Sequence, residues 1–306
     1  MKRFESILAL YAPPTKKNMN TMLRNIEKVN KRLAGDGLQP FTSLCVSAQE
    51  FVRNQIFNKL SVPIHQCAQS GFETYVNVEC LLGVGKQTHM VRLGQTTPND
   101  IWVCPTDGKH KKSIVKILKK VADENVKGIL LSALYYPEYD YCFCENCRKL
   151  AKNDGLELEE IKNILPGTTP FVDWIIWKEK ILETWLREAL TTIQDIKRDV
   201  KVLVEILWDG DSGTRLFHGQ NHESWTRATN LVPAFYVFHD GFPVSEKQRI
   251  GLYGSLYYCY NGQNFYQYVH MSDNWQDELR EGVHITGANG AIVVSVTPDL
   301  MERTLY

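Results

Sequence analysis

Cys142, Cys144 and Cys147 fall in a C-x-C-x-x-C spacing, just after an apolar run that ends Tyr135-Tyr136-Pro137. Three thiols so close together require a metal or a redox task, and a soft tetrahedral Zn²⁺ takes four such ligands. Cys104, followed at once by Pro105 and a polar turn, is the candidate fourth. A closed set of four thiolates has no open coordination position, so the expected zinc is structural and generates no catalytic hydroxide. The competing reading is a chance cluster of free thiols.

The second set is acidic. Glu79 and Glu205 sit inside β-branched apolar runs, whereas Glu138, Asp140, Asp209, Asp211 and Asp240 stand in or beside polar loops. A loop acid alone is more often a solvated charge or a helix cap. For an acid inside a strand, the competing reading is a carboxylate satisfied by an arginine or a hydroxyl.

The elements that must position these groups follow from periodicity. Strand-like runs occur at Phe4–Tyr11, Phe41–Ser47, Glu73–Leu82, Gly128–Tyr136, Val200–Leu207, Leu231–Phe238, Ile250–Tyr258 and Ala291–Val296. Helical patterns lie between them at Lys16–Leu33, Glu50–Leu60, Ser113–Glu124, Glu157–Leu165, Phe171–Asp199 and Glu223–Thr229, with Asn264–Glu281 read as helix or loop. Trp174 and Trp177 belong to the long helix, whose stripe Val172, Ile175, Leu182, Trp185, Leu186, Leu190 and Ile193 is expected to face the core. Eight strands alternating with helices predict an α/β chain folded as a single (β/α)₈ barrel over residues 1–306, with the zinc loop after strand four. Alternation then places Asn77 and Glu79 inward, opposite Val76, Val78 and Cys80. It likewise places Glu205 inward with Leu203 and Leu207. Polar inward residues near the C-terminal ends of strands are where a barrel keeps its chemistry.

Composition bounds the partners. The 306 residues are 43% hydrophobic and 23% charged, and Lys+Arg 35 balances Asp+Glu 35. A formal charge of zero gives no electrostatic case for nucleic acid or a membrane surface. Glu5 and Pro13-Pro14 interrupt the N-terminal apolar run too soon for a secretory segment, and no run approaches a membrane helix. The remaining cysteines, Cys45, Cys67, Cys80 and Cys259, read as buried free thiols, which fits a cytoplasmic protein. The composition is compatible with a homo-oligomer.

Taken together, Trp102–Pro105, Val126–Pro137 and Cys142–Cys147 resemble the middle of glycoside hydrolase-like TIM barrels, in which a strand of the form D-G-I-x-L-D-x-x-R-x-P precedes C-x-C-x-x-C. The four-cysteine arrangement is also similar to the structural zinc site of the thermostable bacterial type of β-galactosidase. The resemblance is strong over residues 93–152 and extends into Phe171–Lys178. Ser132 stands where the family strand carries an inward acid, and Tyr135 or Tyr136 where it carries arginine. The Asn-Glu pair of the zinc-containing β-galactosidases at the end of strand four is missing, and Ile250–Tyr258 offers no glutamate for their nucleophile.

The resemblance implies an enzyme that cleaves a glycosidic bond in a carbohydrate or glycoconjugate with two carboxyls. These stand roughly 5 Å apart for retention and about 6.5–9.5 Å apart for inversion. Glu79 and Glu205 are the catalytic candidates, with their roles unassigned. A sugar also packs its C–H faces on aromatic rings while polar groups hold its hydroxyls. Asn77, Glu138, Trp208, Asp209, Tyr236, Tyr253, His239 and Asp240 are the candidate substrate contacts, the histidine also for proton transfer. Generic core packing is the competing reading for half or more of the aromatics. Two rival functions stand beside hydrolysis. One is a barrel that binds sugar without cleaving it, which Ser132 favours, and the other is a lyase or isomerase using the same acids.

Overall fold

Short runs with period-two burial build the centre of the molecule. The structure, a computed structural model, describes residues 5–10, 16–35, 37, 40–49, 59–83, 86–156, 167–227, 231–237, 246–260, 263–270, 276, 279 and 284–295. Nearly all of the expected helix Glu50–Leu60, the whole of Glu157–Leu165, and both His239 and Asp240 lie outside these residues.

In chain order the elements are β1 (Glu5–Leu10), α1 (Lys16–Gly35), β2 (Ser43–Ser47), α2 (Ser61–Gln69), β3 (Glu73–Glu79), β4 (His89–Val91), β5 (Pro98–Val103), α3 (Gly108–Asp123) and β6 (Gly128–Ser132). There follow α4 (Glu145–Asn153), α5 (Thr169–Gln194), β7 (Lys201–Trp208), α6 (Gly210–His218), α7 (His222–Thr226), β8 (Leu231–Val237), α8 (Glu246–Tyr260), β9 (Tyr266–His270) and β10 (Gly290–Ser295). Eight strands close into a barrel in the order β1-β10-β9-β8-β7-β6-β3-β2, and β4 and β5 form a separate two-stranded sheet. Every pairing around the barrel is parallel. The expected (β/α)₈ architecture is the one observed.

One strand lies elsewhere than the sequence pattern predicts. Ile250–Tyr258 is not the seventh strand but part of helix α8, and the seventh barrel strand is β9, within the stretch read as helix or loop. The reason is visible in the burial. Tyr253, Leu256 and Tyr260 are buried at helical spacing, while Ile250, Tyr257 and Tyr258 are exposed. Two smaller corrections concern side chains: Val172 is exposed on α5, outside the buried stripe, and Cys259 is an exposed thiol. Trp174 and Trp177, which stand outside the predicted stripe, are core residues.

The barrel strands carry apolar side chains on both faces. Ile7, Cys45, Tyr75, Leu130, Leu203 and Ile292 form a cluster of their own inside the barrel. The alternate residues, such as Val76, Ile129, Val202, Ile206 and Trp208, join the larger core beneath the helices. The N-terminal end of the barrel is closed by a polar cluster around Glu5. Its carboxylate accepts hydrogen bonds from Ser43 Oγ (3.0 Å), Tyr75 Oη (3.0 Å), Lys201 Nζ (2.9 Å) and Tyr266 Oη (2.5 Å). Lys127 lies 3.2 Å away on the same carboxylate. A Cβ on Gly128 or Gly290 would overlap the ring of Tyr75 or Tyr266, so glycine at these strand starts lets the two tyrosines reach the centre.

Candidate functional site

The four expected cysteines converge. Cys104, Cys142, Cys144 and Cys147 are buried, and their sulfurs lie within 4.8 Å of one another. Local pairing explains how residues so distant in sequence meet. The β4–β5 sheet ends at Cys104, whose N–H donates to the Thr88 carbonyl (2.8 Å). The same sheet holds the cysteine loop, because Phe143 N–H donates to the Val91 carbonyl (2.8 Å) and Leu93 N–H to the Asp140 carbonyl (3.0 Å). Cys144 then caps α4, its sulfur accepting from Cys147 N–H at 3.5 Å. Phe143 packs on Trp174, with ring centroids 4.8 Å apart, and Trp174 stacks on Trp177 at 5.1 Å.

The donor set fits a metal ion. Cys104 Sγ is 3.4 Å from the sulfurs of both Cys144 and Cys147. A Zn–S bond of about 2.3 Å implies sulfurs about 3.8 Å apart in a tetrahedron, a small outward adjustment. Backbone N–H groups already point at two sulfurs, Thr106 N–H at Cys104 (3.4 Å) and Cys147 N–H at Cys144. Such donors favour thiolates over thiols.

The two expected glutamates both stand at the C-terminal end of the barrel. Glu79 ends β3 and pairs in register with Ser132, the last residue of β6. On the other side of β6, Leu131 pairs with Val204, which sets Glu205 beside Ser132. The two acids therefore project from strands separated by one other, with Ser132 between them, and do not face each other across the barrel. Ser132 Oγ donates to Asn77 Oδ1 at 2.6 Å, both groups being buried. Ala133, directly after it, adopts a positive φ of 52°. Its backbone N–H lies close enough to the Glu205 carboxylate to favour the charged form.

Glu205 is partly exposed at the mouth but lies deep among protein atoms. Burial pushes its carboxyl up to about 7, and the charge of Glu79 adds to the rise. The Tyr268 hydroxyl, 3.4 Å from Glu205 Oε2, and the Ala133 N–H act in the opposite direction without cancelling it. Among the described residues, no lysine or arginine is one of the groups that raise or lower this carboxyl. Tyr268 and Tyr236 meet edge to face, with centroids 5.9 Å apart, and line the wall beside Glu205. Burial, and then the Glu205 charge, raise the Tyr236 hydroxyl above its ordinary value. The site can thus hold one proton on a carboxyl at neutral pH, beside a second carboxylate and two phenol rings.

Other candidates are placed elsewhere. Trp208 points outward from β7 into the helix layer, where its indole N–H reaches Leu252 O and Ser255 Oγ, both at 3.2 Å. Tyr253 is buried on α8 rather than at a strand end. Glu138 is exposed in the loop after β6 and pairs with Arg92 (2.5 Å), which also holds Asp140 (2.6 Å). Asp209 directly follows β7 on the rim, and its backbone N–H donates to Thr214 Oγ1 (3.3 Å). Sequence reasoning missed Tyr268, although Tyr266 and Tyr268 alternate with buried Gln267 as a strand requires.

No family model matches the sequence, and no curated protein matches it. Solved structures do resemble it. The glycoside hydrolase domain of PgaB (BpsB) from Bordetella bronchiseptica superposes with a TM-score of 0.65 at 12% identity, covering 98% of this chain and 95% of that one. The β-galactosidase of Bacillus circulans sp. alkalophilus gives 0.65 at 12% identity, over 95% of this chain and 50% of the other. That of Rahnella sp. R3 gives 0.63 at 12%, again over 95% and 50%. The chain spans about half the length of these β-galactosidases. Identities this low establish architecture alone, and the architecture shared with these proteins is the (β/α)₈ barrel.

Proposed function

We propose that the chain is a glycosidase that cleaves a glycosidic bond with Glu205 as proton donor and Glu79 as the second carboxylate. The observation that carries this reading is the Glu205 carboxyl, pushed up to about 7 by burial and by the Glu79 charge at the C-terminal end of the barrel. A general acid is most effective when its pKa lies near the working pH, and two carboxyls whose environments separate their protonation states divide the acid and base roles. Glu205 gives its proton to the glycosidic oxygen as the bond to the sugar breaks. Glu79 faces the positive charge that develops at the anomeric carbon, either attacking that carbon or activating water. Tyr236 and Tyr268 supply ring faces for the sugar, and Asn77, held by Ser132, presents its amide towards the same space. Two strand spacings put the backbones about 10 Å apart. Side chains leaning from that distance reach the separation for either stereochemical course.

The fold likeness to carbohydrate-active barrels supports a carbohydrate substrate, and the four-thiolate set supports zinc as the metal. Bound zinc would fix the cysteine loop against the β4–β5 sheet and would take no part in the reaction. Metal analysis is expected to find about one zinc per chain, with Cys144→Ser losing it and losing stability. Fully stable protein without metal removes that reading.

Aryl glycosides of graded leaving-group acidity test the catalytic assignment. Glu205→Gln is expected to lose most activity on poor leaving groups and little on those that depart without a proton. Glu79→Gln is expected to lose activity on all of them. Stabilisation by sugars with no turnover of any substrate would favour the binding module instead, the reading that Ser132 supports.

A further inference from the structure

The barrel ladder has a gap beside Glu205. Pairing between β6 and β7 ends at Leu131 and Val204, although β7 runs on beside β8 as far as Trp208 and Val237. Continued by two residues, that register would set Ala133 opposite Ile206. In a parallel ladder its N–H would then donate to the Glu205 carbonyl, and its carbonyl would accept from Leu207 N–H. Ala133 instead takes a positive φ of 52° and gives its carbonyl to Leu81 N–H (3.2 Å), on the β3 side.

Gln220 fills the vacated place. Its Nε2 donates to the Glu205 carbonyl (2.8 Å) and to the Leu134 carbonyl (3.2 Å), and its Oε1 accepts from Leu207 N–H (2.9 Å). The side-chain amide thus makes the two bonds to β7 that the register assigns to Ala133. Gln220 is wholly buried. It arrives there because α6 ends at Gly219, whose left-handed φ of 66° turns the chain where a Cβ would press on the Tyr136 ring at 3.0 Å.

We propose that Gln220 is a positioning residue for the reaction, its amide replacing the missing rung of β6 and fixing the Glu205 backbone against the segment Ser132–Leu134. The inference rests on the glycosidase reading above. Without the amide, Leu207 N–H and two carbonyls are left buried and unpaired, a cost that the strand ends relieve by shifting. A shift of about 1 Å misaligns a proton donor and can cost about 100-fold in rate. It acts on the step that needs the proton, so it is felt by some substrates and not by others.

The test measures kcat and KM on aryl glycosides with poor and good leaving groups, for wild type, Gln220→Met, Glu205→Gln and the double variant. Gln220→Met is expected to lower kcat on poor leaving groups about 10- to 100-fold. KM should stay within a few-fold of wild type, and good leaving groups should be little affected. In the Glu205→Gln background the same change should cost little more, because the group it positions is already gone. An equal loss on both classes of substrate, or losses that simply multiply in the double variant, overturns the proposal. If Gln220→Met does not fold, Gln220→Glu takes its place. An ionised carboxylate there still accepts from Leu207 N–H but brings no proton to the two carbonyls, so the same dependence on leaving group is expected. Failure of both to fold also overturns the proposal, since the amide would then serve the fold and not the reaction. Wild type that turns over no aryl glycoside ends the glycosidase reading and this inference with it, whereas every other adverse result is seen with active wild type.

Discussion

Glu5 stands at the N-terminal end of the barrel and Glu205, beside Glu79, at the C-terminal end, and Glu5 and Glu205 are treated in opposite ways. At the N-terminal end, burial alone would raise Glu5. Hydrogen bonds from Tyr266 and Lys201, with the charges of Lys201 and Lys127, outweigh burial and hold the carboxylate down at about 2. At the C-terminal end, Glu205 receives one distant phenol and one backbone N–H, faces Glu79, and is pushed up to about 7. The same residue type in the same lumen is a structural anchor where cations surround it and a proton store where they do not. Burial is common to both, so the partners decide the role.

The largest expected effect tests that division directly. Glu205→Gln should lower kcat/KM on poor leaving groups by about 10²- to 10⁴-fold, the usual contribution of a general acid. Folded Glu5→Gln should leave the rate constant per active molecule within a few-fold of wild type. Equal losses in the two variants would sink the comparison.

Stability should show the reverse order. Glu5 has a folded pKa below its unfolded one, so its contribution is present above about pH 4.5 and is lost as pH falls towards 2. Glu5→Gln should cost about 3 kcal/mol at pH 7 in denaturant unfolding, because two lysines lose their carboxylate, and its acid transition should be shallower.

Glu205 has the opposite sign. With its folded pKa raised, it favours folding fully below about pH 4.5, and that contribution is lost as pH rises through 7. Glu205→Gln should therefore be more stable than wild type above pH 7, by about 2 kcal/mol, and the two should converge in acid. A variant less stable than wild type at every pH would show that Glu205 is anchored like Glu5.

The smallest effect concerns Tyr268. Its hydroxyl favours the charged form of Glu205, so Tyr268→Phe should move the alkaline limb of kcat/KM upward by less than about one pH unit. A downward move would mean that the phenol instead supports the protonated acid.

Much of this contrast was legible in the sequence because strand parity is strict. Once Val76 and Val78 are assigned to the helix side, Glu79 must face inward, and the same holds for Glu205 against Val204 and Ile206. That rule also puts Trp208 outside, which its position at a strand end concealed. The cysteine set was legible for a different reason, since few chemistries need three thiols in six residues. Helix α8 was not legible as a helix, because its apolar residues Ile250, Tyr257 and Tyr258 face solvent and blur the stripe made by Tyr253, Leu256 and Tyr260. Displacing the seventh strand hid Tyr268. The partners of Glu5 come from β2, β3, β7 and β9, and no local pattern announces such a meeting.

That last feature bears on how the barrel assembles in time. Glu5 is joined to Lys201 and Tyr266 across 196 and 261 residues of chain. Contacts so remote must overcome a large loop-closure entropy before they return any energy, so they are expected to form after the transition state. Interactions made that late govern how quickly a protein comes apart more than how quickly it forms. Glu5→Gln is accordingly expected to steepen the loss of native protein over time, raising the unfolding rate while leaving the refolding rate nearly unchanged. On that view the carboxylate at the foot of the barrel is a latch, and what it sets is the lifetime of the closed ring.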